Sequence, residues 1–154
     1  MAKLGCRCGC ALSNSVCPSP NIIEVFTKES VDKGISEGIK LYDYDSNYDD
    51  GYEYWICRKC LRVYKVPNGV NESAESVYVR VTNLVDSLPK ESQEIFIYTE
   101  MEIDAALEEN EYLTLKQFVN DIPRSCKFYT DEKSSSIYAV DTATGQILYK
   151  YVEE

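Results

Sequence analysis

Six of the seven cysteines lie in two clusters whose spacing suits metal binding. The first cluster holds Cys6, Cys8, Cys10 and Cys17, and the second is the run Trp55-Ile-Cys-Arg-Lys-Cys60. A CxC pair and a CxxC pair that fold back on each other can supply the four thiolates of a tetrahedral site. Closed four-thiolate sites stabilise small folds far more often than they do chemistry. The pattern therefore predicts a structural metal site, with zinc as the first candidate.

The ligand set that the spacing favours is Cys6, Cys8, Cys57 and Cys60. The CxxC pair is its more specific half, because two thiolates converge there in a tight turn between strands. Cys10 could replace either cysteine of the CxC pair, and Cys17 could bind only if its loop folds back. Cys126 is predicted to be a small buried apolar residue. Iron is the alternative metal, since four-cysteine sites also hold a single iron in electron carriers.

The chain contains no histidine. It therefore lacks the side chain whose pKa best suits proton transfer near neutrality, and a Ser-His or Cys-His nucleophile is excluded. The carboxylates, such as Asp104 and Glu108, fall in helical positions that we expect to be solvated. There is also no glycine-rich phosphate loop. These observations predict that the protein is not an enzyme.

Acidic residues outnumber basic ones by 26 to 16, and the excess is concentrated. The stretch from Asp86 to Glu111 carries nine acids against Lys90 alone. Such a surface repels phosphate backbones, so direct nucleic-acid binding is disfavoured. A local exception is the basic patch beside the CxxC pair, formed by Arg58, Lys59, Arg62 and Lys65.

The elements that must position the cysteines are predicted to be short strands and helices. Strands are expected at 22–26, 52–56, 61–66, 77–81, 95–98, 127–129, 137–140 and 146–152. Thr27 is expected to cap one helix, and Thr99 and Thr114 open two more with capping boxes. The stretch 42–51, without apolar periodicity, is expected to be an exposed loop. The recurrence of a strand followed by Thr, seen also at Thr130, is interpreted as shared turn chemistry without duplication.

The fold predicted from this pattern is α+β. An N-terminal zinc ribbon with antiparallel strands would occupy residues 1–82, and a strand-rich acidic α+β half with one or two short helices would occupy 83–154, either as two subdomains or as one continuous domain. No secretory signal or membrane-spanning run is visible, which predicts a cytoplasmic protein without membrane contact. In a reducing cytosol, clustered cysteines favour metal over disulfides.

Three segments resemble a group of small, mostly uncharacterised bacterial proteins with CxCG and CxxC pairs. They are Cys6 to Ser15, Tyr54 to Tyr64, and Ile137 to the end, and Cys10 departs from that pattern. The resemblance implies a zinc-ribbon protein, and some such small acidic chains act as immunity proteins against secreted toxins.

The function predicted from the sequence is a non-catalytic, zinc-binding interaction or inhibitory protein, with toxin neutralisation as its specific form. The partner would be a protein such as a basic toxin domain. Its expected contacts are Tyr48, Tyr52, Glu108, Glu109 and Glu111, because tyrosines are enriched at interfaces and acids attract a basic surface. The alternative is a zinc-ribbon accessory factor of transcription or translation that uses the basic patch.

Overall fold

The computed structural model describes residues 3–13, 19, 21–47, 52–67, 76–81, 87–122, 124–131 and 135–154. Within these ranges the chain forms ten strands and four helices. In chain order they are β1 (Lys3–Gly5), β2 (Ala11–Ser13), β3 (Ile22–Thr27), α1 (Lys28–Ser36), α2 (Leu41–Asn47), β4 (Tyr52–Ile56), β5 (Val63–Pro67), β6 (Ser76–Val81), β7 (Gln93–Thr99), α3 (Glu100–Glu109), α4 (Leu115–Asp121), β8 (Cys126–Asp131), β9 (Ser136–Asp141) and β10 (Ile147–Glu153).

Eight of these strands close into an antiparallel barrel in the order β10-β6-β5-β4-β3-β7-β8-β9, while β1 and β2 form a separate two-stranded sheet. The predicted α+β fold with an N-terminal zinc ribbon is therefore wrong, because the protein is mostly β with a few short helices. The β4–β5 hairpin that carries the CxxC pair is not part of a free-standing ribbon. It continues on one side into β3 and on the other into β6.

The four barrel strands before residue 82 are neighbours in the barrel, and so are the four strands after it. The pairing of β3 with β7 and of β6 with β10 joins the two predicted subdomains edge to edge. The division at residue 82 stays a prediction, since strand pairing does not measure the folding of either half alone.

Alternating side chains divide the apolar residues into three clusters. Inside the barrel, residues such as Val25, Tyr54 and Ile137 pack together. Outside the barrel, the helices cover β3 and β7, and the β1–β2 hairpin packs on β4 and β5 through Leu12 and Trp55. This alternation follows from the two-residue period of a strand.

Helix α2 occupies a stretch for which an exposed loop was predicted. Its Leu41 and Tyr44 are fully buried against the other helices, and the Tyr44 hydroxyl lies 2.8 Å from the hydroxyl of Ser30. The prediction of a loop over 42–51 is wrong for 42–47, because two apolar positions three residues apart are too few to show a helical period. Residues 48–51 lie outside the described residues.

The order of elements in the barrel repeats. The series β3-α1-α2-β4-β5-β6 is followed by β7-α3-α4-β8-β9-β10. Strands β3 and β7 pair about Val25 and Ile97, which are 72 positions apart, and β6 and β10 pair about Val79 and Val152, which are 73 apart. Each central pair joins equivalent positions, so a pseudo-twofold axis relates the two halves.

Two further details follow the same symmetry. The backbone N–H of Leu41 donates to Leu113 (2.8 Å), and that of Leu115 donates to Ile39 (2.9 Å), which is a reciprocal pair across the axis. Leu61 and Ser135, 74 positions apart in the β4–β5 and β8–β9 turns, are the non-glycine residues with positive φ among those described.

The Thr caps can now be assigned. Thr27 caps α1 and Thr99 caps α3 with a full capping box, and the two residues occupy equivalent places in the repeat. Thr130, by contrast, lies inside β8. The interpretation of this recurrence as shared turn chemistry without duplication stays a prediction. Thr114 opens α4 with the second predicted box. None of the described helices is long and apolar enough to cross a bilayer.

The close approach of α1 to α4 yields a test of the helical layer. A Cβ at Gly34 would lie 2.7 Å from Cδ2 of Leu115 and 3.1 Å from Cγ2 of Ile39. We predict that Gly34→Ala lowers the free energy of unfolding by about 1–3 kcal/mol, the usual cost of overpacking. Urea denaturation measures it.

The control for this prediction is Gly5→Ala, where a new Cβ meets no atom within 4 Å. It should leave the urea midpoint nearly unchanged. A midpoint for Gly34→Ala equal to that of Gly5→Ala would contradict the packing described for α1.

Candidate metal centre

The first cysteine turn connects β1 to β2. The backbone N–H of Cys6 donates to the carbonyl of Cys10 (2.7 Å), and that of Gly9 donates to the carbonyl of Cys6 (2.9 Å). Gly9 has φ of +92°, a conformation that glycine adopts without steric cost. This tight loop aims the side chains of Cys6 and Cys8 at the neighbouring hairpin.

The second cysteine turn connects β4 to β5. The N–H of Cys57 donates to the carbonyl of Arg62 (3.0 Å), and the N–H of Leu61 donates to the carbonyl of Cys57 (2.8 Å). Leu61 reverses the chain with φ of +62°. The turn brings Cys57 and Cys60 to one side, facing the first turn.

The four cysteines predicted as ligands lie close together. The Sγ atoms of Cys6 and Cys60 are 3.4 Å apart, those of Cys8 and Cys57 are 3.6 Å apart, and all four lie within 4.8 Å of one another. A tetrahedral ion with metal–sulfur bonds of about 2.3 Å places its sulfurs about 3.8 Å apart. The arrangement therefore fits a four-thiolate metal site, and these four residues would hold the ion.

The surroundings of the four sulfurs favour a closed, structural site. Cys6 and Cys57 are buried in the apolar cluster that joins the β1–β2 hairpin to the barrel. The hydroxyl of Tyr64 donates to Sγ of Cys6 (3.2 Å) and accepts the N–H of Arg7 (2.9 Å). Such outer hydrogen bonds orient ligands and tune their basicity. Four sulfurs leave no position for a substrate.

The pKa values of these thiols diverge because burial and hydrogen bonds act on them unequally. Burial opposes ionisation of Cys60, but hydrogen bonds from the backbone and side chain of Arg62 outweigh it and lower the pKa to about 6. A backbone hydrogen bond from Cys10 favours the Cys8 thiolate, yet the neighbouring thiols and burial raise its pKa to about 12. Only a bound cation would favour all four thiolates at once.

Glu154 connects the two cysteine turns on the surface. Its carboxylate accepts hydrogen bonds from Nε and Nη2 of Arg62 (3.1 and 3.2 Å), and Nη1 of Arg7 lies 2.7 Å from it. The two arginines lower the pKa of this carboxyl group, chiefly through the Arg62 hydrogen bonds. These ion pairs lie at the surface, where such contacts add little to the free energy of unfolding. Their main effect is therefore to orient the two turns.

The remaining cysteines are placed apart from this group. Cys10 packs beside the site, but its sulfur is not one of the four mutually close atoms. Cys126 is half-buried in β8 and lies beside Ser125. Cys17 lies outside the described residues.

A second group of possible ligands is acidic. The carboxylates of Glu24, Glu53 and Glu100 lie within 4.8 Å of one another. Glu53 accepts the indole N–H of Trp55 (2.7 Å), and Glu100 accepts the backbone N–H of Ser19 (2.8 Å). Glu24 also has a partner within the protein, and we assign no ion to the group.

The predicted partner contacts fall in different places. Glu108, Glu109 and Glu111 are exposed at the end of α3 and in the turn after it. Tyr52 is half-buried at one end of the barrel, where the Lys65 ammonium lies 4.4 Å from the centre of its ring. Tyr48 lies outside the described residues.

Sequence reasoning did not identify the groups that support the four cysteines. Tyr64 is four residues after Cys60 on β5, on the face opposite to Val63. The alternation of apolar residues along β5 could have placed its ring under the first turn. Nothing in the sequence indicated Glu154, because Arg62 is brought near it by the pairing of β5 with β6 and of β6 with β10.

The comparisons with known proteins identify a family. A family described as a domain of unknown function, DUF8617, matches residues 2–81, just over half of the chain. The chain belongs to the DUF8617 family. The matched region comprises both cysteine turns and the first repeat, while the second repeat follows it. Neither the curated proteins nor the solved structures gave a match.

The four-cysteine site predicts which substitutions release metal. Cys57→Ser should abolish metal binding and lower the melting temperature, because metal-binding energy in such a site contributes to folding energy. Cys10→Ser and Cys126→Ser should keep about one metal ion per chain, since their sulfurs lie outside the group. Elemental analysis of purified protein measures the content. A Cys57→Ser protein with undiminished metal would contradict the ligand set.

The hydrogen bond from Tyr64 predicts a smaller effect. The Tyr64→Phe variant should still bind the metal. Its metal affinity should fall by about 10- to 100-fold, the usual cost of losing a hydrogen bond to a ligand. Competition with a chelator measures the affinity. The matched control is Tyr138→Phe, at the equivalent position of the second repeat and equally buried. Equal affinities of the two variants would contradict the role of Tyr64.

Proposed function

We propose that the protein is a non-catalytic, zinc-binding protein that recognises a basic partner protein through an acidic surface. This acidic surface consists of Glu108, Glu109 and Glu111. The observation that carries the proposal is that all three are exposed, and no salt bridge or hydrogen bond engages their side chains among the described residues.

Other acids of the Asp86 to Glu111 stretch already have structural partners. Glu102 completes the cap of α3 and accepts a hydrogen bond from Arg124 (3.1 Å). Glu94 lies 3.8 Å from the ammonium of Lys127. The negative charge available to a partner is therefore concentrated at the end of α3, where it would speed encounter with a basic protein.

An exposed aromatic residue adjoins these acids. Tyr112 follows Glu111 directly and is 66% exposed, with the Lys40 ammonium 5.1 Å from its ring centre. Tyr42, two residues after Lys40, is 61% exposed. Exposed tyrosines of this kind commonly anchor interfaces. We therefore assign the aromatic anchor to Tyr112, while the predicted anchor Tyr52 lines the barrel.

Zinc is the metal that this proposal assigns to the four cysteines. The donor set of four thiolates suits zinc and also a single iron, which would give a coloured protein. A closed site with its sulfurs in contact with apolar residues and a tyrosine hydroxyl supports a structural role. Zinc would supply charge neutralisation there and join the β1–β2 hairpin to the barrel.

The narrower form of the proposal is an immunity protein whose partner is a secreted toxin domain. It is supported by the resemblance of the cysteine segments to small acidic bacterial proteins of that kind. The alternative, a transcription or translation factor that uses the basic patch, has less support. In that patch Arg62 is engaged by Glu154, and Lys65 lies over Tyr52, so the four cations do not form one open basic surface.

The acidic surface predicts a salt-dependent association. Protein captured from the native cell should include a basic partner, and its association rate with the recombinant chain should fall as salt rises. The triple charge reversal Glu108→Lys, Glu109→Lys and Glu111→Lys should slow association about 10-fold or more without changing the melting temperature. Tyr112→Ala should instead speed dissociation.

The control carries the same charge change elsewhere, as Glu29→Lys, Glu37→Lys and Glu91→Lys, all at exposed positions. It should slow association much less. Equal effects of the two triples would show that only net charge matters. Tight binding to RNA or DNA at physiological salt would overturn the proposal.

A further inference from the structure

The ladder between β7 and β8 is shorter than its counterpart in the first repeat. Strands β3 and β4 pair at four successive positions, and the last of these along β3 corresponds to Ile97 and Cys126 in the second repeat. The β7–β8 ladder ends two positions earlier, at Ile95 with Phe128. The barrel wall is therefore less fully paired at this place than at the equivalent one.

A cavity of about 260 Å³ lies where this pairing stops. Phe96, Ile97 and Cys126 line it from the two strands, and Val119 and Ile122 line it from α4. All five residues are apolar yet only half-buried, so the cavity leaves apolar surface in contact with water. Removing such surface from water favours the binding of an apolar ligand.

Two of these apolar residues have charged counterparts in the first repeat. Phe96 on β7 corresponds to Glu24 on β3, 72 positions earlier, as the β3–β7 ladder shows. Val119 on α4 corresponds to Asp45 on α2, 74 positions earlier, by the same offset that relates Leu115 to Leu41. Apolar side chains at these two places are therefore not a requirement of the common frame.

Aromatic rings form part of the cavity wall. Phe96, Tyr98 and Phe128 all line it, and aromatic side chains attract a further ring in edge-to-face or offset geometry. An apolar cavity of about 150 Å³ already holds benzene. The volume here therefore admits a ligand of one ring or of two fused rings.

The charged side chains of the lining are already neutralised within the protein. Nη2 of Arg124 lies 3.1 Å from the carboxylate of Glu102, and the guanidinium lies 4.3 Å from the centre of the Tyr98 ring. The ammonium of Lys127 lies 3.8 Å from the carboxylate of Glu94. Because each cation faces an acid, the lining offers no net charge that would favour a charged ligand.

We propose that this cavity binds a small neutral aromatic molecule. Its ring would lie against Phe96, Val119 and Ile122, between α4 and the two strands. The site is separate from the four cysteines and from the acidic surface, so it adds a small-molecule ligand to the proposed function.

The test is a thermal melt of the metal-loaded protein with phenol, indole, cyclohexanol, benzoate or benzylamine, each at millimolar concentration. Phenol or indole should raise the melting temperature by about 1 °C or more, because a ligand that binds only the folded state stabilises it. Cyclohexanol, which has no aromatic ring, and the two charged probes should give smaller shifts.

Methyl NMR of the complex with the best probe locates the ligand. The ring current of a bound aromatic molecule shifts nearby methyl signals, so those of Val119 and Ile122 should move most. The methyl groups of Ile23 and Val63 are the control, because they line a separate cavity of about 90 Å³ inside the barrel. Their signals should move less.

A matched pair of variants on α4 tests the apolar wall. Val119→Asp introduces the residue that α2 carries at the equivalent position, so the helix should still form. It should weaken binding of the best probe by about 10-fold or more, because a carboxylate in the wall loses hydration when the ring binds. Lys116→Met, on the exposed face of α4, should leave the affinity unchanged.

Four outcomes would overturn the proposal. The melting temperature could respond to none of the probes, or respond most to cyclohexanol, benzoate or benzylamine. The signals of Ile23 and Val63 could move more than those of Val119 and Ile122. The Val119→Asp variant could also bind the best probe as tightly as Lys116→Met does.

Discussion

The structure depends on the pairing of β3 with β7 and of β6 with β10. Among the described strands, these two ladders are the only strand pairings that connect the two halves of the barrel. Each ladder is centred on equivalent residues, Val25 with Ile97 and Val79 with Val152. Closure leaves no open sheet edge in the barrel. Each half alone would expose two edge strands, so the repeat acquires a complete interior only when both halves are present.

Symmetry of the frame makes the differences between the repeats informative. The β4–β5 turn carries Cys57 and Cys60, whereas the equivalent of Cys57 in the second repeat is Asp131. The β1–β2 hairpin covers only the first of these turns. The four-cysteine site is thus a feature of one repeat of a common frame.

The sequence predicted local structure well and the global fold poorly. Thr27, Thr99 and Thr114 were placed as helix caps because capping chemistry is contained within four residues. The β4–β5 hairpin and the convergence of its cysteines with Cys6 and Cys8 were also predicted. Barrel closure was missed because the partners in its two closing ladders are 68 to 76 positions apart. Alternation along one strand does not specify which strand lies next to it.

The same limit applies to the candidate sites. Spacing could identify four thiolates, but the support from Tyr64 and Glu154 arises from packing between distant strands. For the acidic surface, composition identified the acid-rich stretch from Asp86 to Glu111. Only the structure separates acids that have partners, such as Glu102, from exposed acids such as Glu108.

The central claim is that the four cysteines hold one zinc ion that joins the hairpin to the barrel. X-ray absorption at the zinc edge of the purified protein tests it most directly. The account predicts four sulfur neighbours at about 2.3 Å and no nitrogen or oxygen neighbour. A first shell containing oxygen or nitrogen, or a protein that is fully folded and free of metal as purified, would contradict it.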